Sequence, residues 1–309
     1  MPRLHTAEAP PENFLHPRYW ATWFGLGLMR ALALLPLPLL AVLGGALGML
    51  SYALYRSRRR IAYLNISRCF PELDAATHRR LTRKHFRALG QALFDIGIAW
   101  WGSPRRLQRL VRWHGHEHLE RAQAAQRRII FLVPHFIGME ICGVRMSLEL
   151  PLVDIYRRAD NKLITEVMLR ARTRFRGQLI EHIRGLVPVI RALKAGLPLY
   201  YLPDQDPGQR SSSFVPFFGI QAATFNVLGR LASMTDAVVI PCYAHQLSWG
   251  RGYEVVMGPP LENFPTGDTL ADTTRMNAEI EAGVRQWPEQ YFWVHKRFKT
   301  RPAGEPKFY

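Results

Sequence analysis

The stretch best suited to chemistry is His135-Phe136-Ile137-Gly138-Met139-Glu140. A histidine held by a carboxylate is a competent general base near neutral pH, because the carboxylate stabilises the imidazolium that forms. Spacing alone is weak support. With 11 histidines and 24 acids in 309 residues, about one acid falls five positions after a histidine by chance, and His135–Glu140 is the one such pair. A second group is Pro203-Asp204-Gln205-Asp206-Pro207-Gly208, followed by Gln209 and Arg210. Its two acids could orient a base, bind a polar headgroup, or serve only as turn residues. Arg157-Arg158 and the series Arg170, Arg172, Arg174, Arg176 offer phosphate contacts or a solvated helix face.

The elements around these residues strengthen the first group. Residues 129–133 (IIFLV) read as a strand buried on both faces, so His135 stands where a parallel strand ends. Open α/β sheets bind ligands at the carboxyl ends of their strands. If a helix begins at Ile137, Glu140 lies in its first turn and can reach back toward the imidazole. The group after residue 202 likewise follows a strand, 199–202. Further strands are expected at 152–156, 237–241 and 253–257, with helices near 160–176, 186–195, 222–234 and 270–286. Residues 56–126 read as helical, with Asp74 capping one helix and Ser103-Pro104 opening another. The alternation predicts an α/β fold with a mostly parallel sheet flanked by helices.

Residues 31–55 contain no charged side chain, and Arg56, Arg58, Arg59 and Arg60 follow directly. Twenty-five apolar positions are long enough to span a hydrocarbon core of about 30 Å. The arginines would keep the rest of the chain on the cytoplasmic side. Pro36 and Pro38 would kink such a helix or break it into an interfacial hairpin. The expected organisation is an N-terminal membrane anchor over residues 1–55 and a cytoplasmic domain over 56–309.

Composition narrows the function further. A net charge of +17, carried mostly by arginine, calls for a phosphorylated or acidic partner, and nucleic acid, an anionic membrane and an acidic carrier protein all satisfy it. Three scattered cysteines support neither a disulfide framework nor a cysteine zinc site. His114, His116 and His118 alternate as metal ligands on a strand would, yet the chain passes straight into a helical LERAQAAQ, and no metal site is expected. No GxSxG elbow, P-loop, dinucleotide fingerprint or HExxH occurs. With no activated serine or cysteine near His135, the nucleophile falls to a hydroxyl of the substrate.

These residues carry a resemblance that covers nearly the whole chain in order. It runs through residues 65–72 (NISRCFPE), 115–119, His135–Glu140 and 156–161 (YRRADN). It continues through 203–206 (PDQD) and 212–219 (SSFVPFFG), and ends in PEQY and HKRFKTRP at 288–291 and 295–302. The chain resembles the lipid A biosynthesis late acyltransferases, lauroyl and myristoyl transferases within the glycerolipid acyltransferase superfamily that shares the HX4D/E motif. One departure is proline at 207, where an aromatic residue is frequent. The resemblance implies a glycerolipid-acyltransferase-like sheet. It also implies that His135, oriented by Glu140, deprotonates the hydroxyl of a 3-hydroxyacyl chain on a lipid A precursor of the Kdo-lipid IVA type. The acyl group would come from acyl-acyl carrier protein. Arg157, Arg172, Arg174, Asp204 and Asp206 would be the supporting polar residues. The family implies no metal or other cofactor and no nucleic-acid partner, and a site on the cytoplasmic face of the bacterial inner membrane. An acyltransferase for another membrane glycolipid or aminolipid is the alternative. A non-enzymatic basic module binding membrane or nucleic acid is a weaker one, disfavoured by the acids at 204 and 206.

Overall fold

The computed structural model describes residues 12–209 and 212–309. The first eleven residues of the expected anchor, and Arg210 of the Asp204 loop, lie outside the described residues. In chain order come α1 (Trp20–Leu32), α2 (Leu37–Leu54), α3 (Arg56–Cys69), α4 (Ala75–Trp101) and α5 (Pro104–Leu110). Next follow β1 (Val111–His114), α6 (His116–Ala124), β2 (Arg128–Leu132), α7 (Met139–Met146), β3 (Val153–Tyr156) and α8 (Lys162–Thr173). The chain continues with β4 (Gln178–Glu181), α9 (Val187–Lys194), β5 (Leu199–Tyr201), β6 (Ser212–Phe217), β7 (Ile220–Phe225) and α10 (Leu228–Thr235). β8 (Ala237–Gln246), β9 (Tyr253–Met257) and α11 (Thr269–Gln286) complete it.

Among the described residues seven strands form one sheet in the order β1-β9-β8-β2-β5-β3-β4, parallel throughout except between β8 and β9. β2 lies at its centre and is buried on both faces, as its unbroken apolar run requires. Ile130 and Leu132 join a core with α9, α10 and α11. Ile129, Phe131 and Val133 join a second core with α4, α7 and the N-terminal helices. The alternation of side chains along a strand thus splits one pentapeptide between two cores.

The local signals for helix starts match the structure. Asp74 accepts from the Thr77 N–H at 2.7 Å to open α4, and Ser103 accepts from the Arg106 N–H at 3.2 Å to open α5. Other expectations need correction. The span expected over residues 31–55 is shorter, because the prolines break the run rather than kink it. α1 ends at Leu32, Pro36 takes the N-cap position of α2, and among the described residues only Leu37–Leu54 has the length and composition of a membrane span. The physical reason is that a proline at 36 removes a helical N–H and its ring clashes with the carbonyl one turn back. The helix expected at 222–234 starts only at Leu228, because residues 212–225 form the β6–β7 hairpin. β1 and β4 were hidden as four-residue edge strands that exist through pairing with β9 and β3.

α2 packs lengthwise on α4. Gly44 and Gly48 face Gly90 across this contact, and a Cβ on any of them would collide with the opposing backbone.

Candidate active site

The central strands bring His135 and Asp204 together. In the parallel β2–β5 pair, Leu132 is in register with Tyr201. Continuing both chains past the sheet by the same number of residues places His135 beside Asp204. The Asp204 carboxylate accepts from the His135 backbone N–H at 2.9 Å and meets the imidazole Nδ1 at 2.6 Å. Asp204 is 1% exposed, and its backbone carbonyl accepts from the Tyr291 hydroxyl. Burial pushes its carboxyl up, and the adjoining His135 imidazole with its two hydrogen bonds more than offsets that, leaving it below the ordinary aspartate value. An ionised carboxylate on Nδ1 leaves Nε2 as the ring nitrogen free to take a proton.

The C-terminal segment locks this arrangement. The Phe292 N–H donates to the His135 carbonyl and the Ile137 N–H to the Gln290 carbonyl. Asp206 accepts from both the N–H and the hydroxyl of Thr300, at 2.7 and 2.8 Å, while its own N–H donates to the His295 Nε2. Arg297, 1% exposed, donates to the Ala223 carbonyl and the Thr224 hydroxyl, tying the same segment to the β6–β7 hairpin. Gly138 supplies the tight approach between the His135 loop and the sheet, since a Cβ there would press on the Ala244 carbonyl at 2.9 Å.

His135 opens onto a cavity of about 880 Å³, within the size range of small-ligand pockets. Its polar lining includes Glu140, Arg157, Arg172 and Asp206 from the sequence reading, together with Asp154 and Lys299. Leu152, Met168, Leu179, Leu186 and Val227 give it a substantial apolar wall.

Two of the expected residues occupy different roles from those anticipated. Glu140 does not supply the carboxylate hydrogen-bonded to Nδ1. Its Oε1 accepts from the Trp100 indole at 2.9 Å and from the Arg172 Nε at 3.1 Å, and its Oε2 accepts from Arg172 at 2.5 Å. A helix that starts at Met139 rather than Ile137 directs Glu140 toward α8 and α4. Arg172 also donates to Asp154 at 2.9 Å, so this guanidinium is boxed between two carboxylates. Burial pulls the Arg172 charge down, and Glu140 and Asp154 reverse that and hold it protonated. Burial raises the Glu140 carboxyl, and Arg172 and Trp100 bring it below its ordinary value. Burial raises Asp154 to about 6, against the pull of Arg172. Arg174 is outside the cavity lining: it donates to the Ala99 carbonyl at 2.8 Å and stacks over Phe175, with burial lowering it to about 10.

Asp154, Trp100 and Lys299 escaped the sequence reading. Asp154 left a signal, a single acid inside an otherwise apolar strand (LVDIY). Trp100 left none, because its partner lies across the fold. His114, at the end of β1, pairs with Glu254 at 3.3 Å, whereas His116 and His118 belong to α6. Among the described residues no group of three or more His, Cys, Asp or Glu is arranged to hold a metal ion.

A mostly parallel sheet with a His–Asp pair at the ends of adjacent central strands, opening on a partly apolar cavity, places the protein in the class of α/β proteins with a ligand site at the carboxyl ends of the strands. Sequence comparison makes the class specific. The bacterial lipid A biosynthesis acyltransferase family matches residues 10–300. The lipid A biosynthesis lauroyltransferase of Escherichia coli (strain K12) is 36% identical over 310 residues, covering 100% of this chain and 99% of the relative. The palmitoleoyltransferase of the same organism is 36% identical over 96% of this chain and 97% of its own length, and the myristoyltransferase 33% over 98% and 95%. The chain belongs to the bacterial lipid A biosynthesis acyltransferase family and is an enzyme that transfers acyl groups.

Proposed function

We propose that this protein moves a fatty acyl chain from acyl-acyl carrier protein to the hydroxyl of a 3-hydroxyacyl chain on a lipid A precursor of the Kdo-lipid IVA type. His135 is the general base and Asp204 the carboxylate that orients it. The observation that carries this reading is the pair of hydrogen bonds that the Asp204 carboxylate accepts from the backbone N–H and ring Nδ1 of His135 at the wall of the cavity. Nε2 of His135 takes the acceptor hydroxyl proton as that oxygen attacks the thioester carbonyl. The new C–O bond forms, the C–S bond breaks, and the imidazolium returns the proton to the departing thiolate. Glu140 and Asp154 act on the site through Arg172, whose guanidinium they hold at the cavity wall. Arg157 and Lys299, both exposed and both lining the cavity, are the cations available to acceptor phosphate.

We assign the reaction to the cytoplasmic face of the bacterial inner membrane. There, the excess of positive charge meets an acidic carrier and anionic headgroups, and added salt slows the encounter with the carrier. An in vitro transfer assay with a panel of acyl-carrier donors and one lipid A precursor tests the reading. His135→Ala abolishes transfer in a protein that remains folded and membrane-bound, and full activity in that variant refutes the assignment. Mass spectrometry of a deletion strain tests the acceptor. Unchanged lipid A acylation rejects it in favour of another membrane glycolipid or aminolipid.

A further inference from the structure

We infer that α1 and α2 form a docking face that lies in the plane of an anionic bilayer surface, joined by Trp249, and that α2 does not cross the bilayer. The inference deepens the membrane reading above and rests on it. By composition α2 could span: its 18 residues have a mean hydropathy of 1.8, and at about 1.5 Å per residue they come close to hydrocarbon thickness. The fold prevents this, because both ends of α2 are fastened to one globular body.

At its N-terminal end the backbone of Gly250 packs on Leu37 and Pro38, and Arg106 of α5 donates to the carbonyls of Ala33 and Leu35. At its C-terminal end α3 follows, and Arg58 and Asn65 of α3 donate to the carbonyls of Val294 and Trp293 beside the active-site segment. Between these ends Gly44 and Gly48 are in backbone contact with α4. α1 is tied in the same way. Asn161 donates to the Thr22 hydroxyl at 2.8 Å, and Met29 and Ala33 pack on Gly97 of α4. A spanning α2 would carry α4 with it, including Arg79, Arg80, Arg83, Lys84 and Arg87 and the buried Asp95. Charges on that scale are not tolerated at hydrocarbon depth without dedicated partners.

What the fold leaves bare is one apolar side. Leu37, Leu40, Gly44 and Gly48 face inward, whereas Leu39, Val42, Leu43, Leu50 and Leu54 are exposed. On α1 and its C-terminal bend Trp20, Trp23, Phe24, Leu28 and Leu34 are exposed as well. Trp249, distant in sequence and 83% exposed, is delivered to the N-terminal end of α2 by the Gly250 contact. Cations frame this surface. Arg105 and Arg109 line a cleft of about 450 Å³ with Leu34 and Pro36 at the α1–α2 bend, and Arg56, Arg59 and Arg60 follow Leu54. An apolar strip with tryptophans and arginine-rich borders matches the headgroup boundary of an anionic membrane.

The full chain provides the test, because Cys69, Cys142 and Cys242 are all buried and leave introduced thiols selectively reactive. Leu34→Cys, Val42→Cys and Leu54→Cys variants, each verified by acyl transfer in detergent, are labelled with an environment-sensitive fluorophore. They are then bound to vesicles of equal parts phosphatidylglycerol and phosphatidylethanolamine. The expected result is one shared shallow depth by lipid-borne quenchers. In sealed membrane vesicles, unlabelled Leu34→Cys and Leu54→Cys are expected to react with an impermeant thiol reagent from the same side. A Val42 probe at the bilayer centre, or ends reacting from opposite sides, overturns the in-plane arrangement while leaving membrane association intact. Failure of the protein to bind these vesicles at all overturns the membrane reading itself. Trp249→Ser should weaken vesicle binding about tenfold with detergent activity unchanged; unaltered binding removes Trp249 from the face.

Discussion

Replacing Asp204 with asparagine probes the electrostatic part of the proposed mechanism, because it preserves volume and removes one charge. Asp204 is buried and touches His135 twice, at 2.9 Å on the backbone N–H and 2.6 Å on Nδ1. An ion pair whose charge centres are about 4 Å apart, at an effective dielectric of about 20, is worth about 4 kcal/mol. The imidazolium exists only after proton transfer, so that energy belongs to the transition state rather than to the resting enzyme, and its loss lowers kcat about a thousandfold. Asparagine adds a second defect. Its oxygen can serve either the backbone N–H or the ring, and an amide nitrogen turned toward Nδ1 favours the tautomer with hydrogen on Nε2, which is no base. The assay is steady-state acyl transfer with saturating donor, alongside thermal unfolding to verify the fold. A fall in kcat below tenfold in a folded variant refutes the role given to Asp204, as does a loss confined to KM.

Three further outcomes follow from the same geometry. Arg172→Ala leaves Glu140 and Asp154 at the cavity wall without their counter-ion, which should cost about 3–5 kcal/mol in denaturant unfolding. A double-mutant cycle with Glu140→Gln should show coupling above about 1 kcal/mol, and additivity would sink the pairing. His85 is fully enclosed and burial pushes its imidazole down to about 4, while the unfolded chain binds that proton below about 6.5. The unfolded state therefore holds more protons between these values, so stability falls as pH drops through that window, by up to about 3 kcal/mol from this residue. His85→Gln should flatten this acid limb of the Tm–pH curve, and an unchanged limb rejects the assignment. Gly143 lines the cavity beside the Tyr200 ring, and a Cβ there would lie 3.4 Å from it. Gly143→Val narrows the cavity and should shift the donor preference toward shorter acyl chains in the carrier panel; an unaltered profile places the chain elsewhere.

The legible part of the site was the part encoded in short, contiguous signals. The apolar run before His135 and the Pro-Asp-Gln-Asp turn after another strand stand out because backbone burial and turn chemistry act over a few residues. Asp204 was recognisable as a group that could orient a base, but choosing it over Glu140 required the order of strands. Glu140 at helical spacing looked suited to reach back, and a later helix start directed it to Arg172 instead. The helix assigned across residues 222–234 failed for a related reason. Its first residues are apolar and small enough for either period, and pairing with β6 decided the strand.

The sequence by itself determined the alternation of strands and helices, the proline break in the long apolar run, the basic excess and the histidine at a strand end. All are consequences of local sterics, local burial or composition. Tertiary structure alone decided which carboxylate meets His135, which one boxes Arg172, and whether α2 is free to leave the globular body. Those outcomes depend on residues tens or hundreds of positions apart. Strand register, set by the parallel pairing of β2 with β5, brings Asp204 to the imidazole across 69 residues. Close glycine contacts between α2 and α4 convert a segment with the hydropathy of a span into the outer wall of the fold.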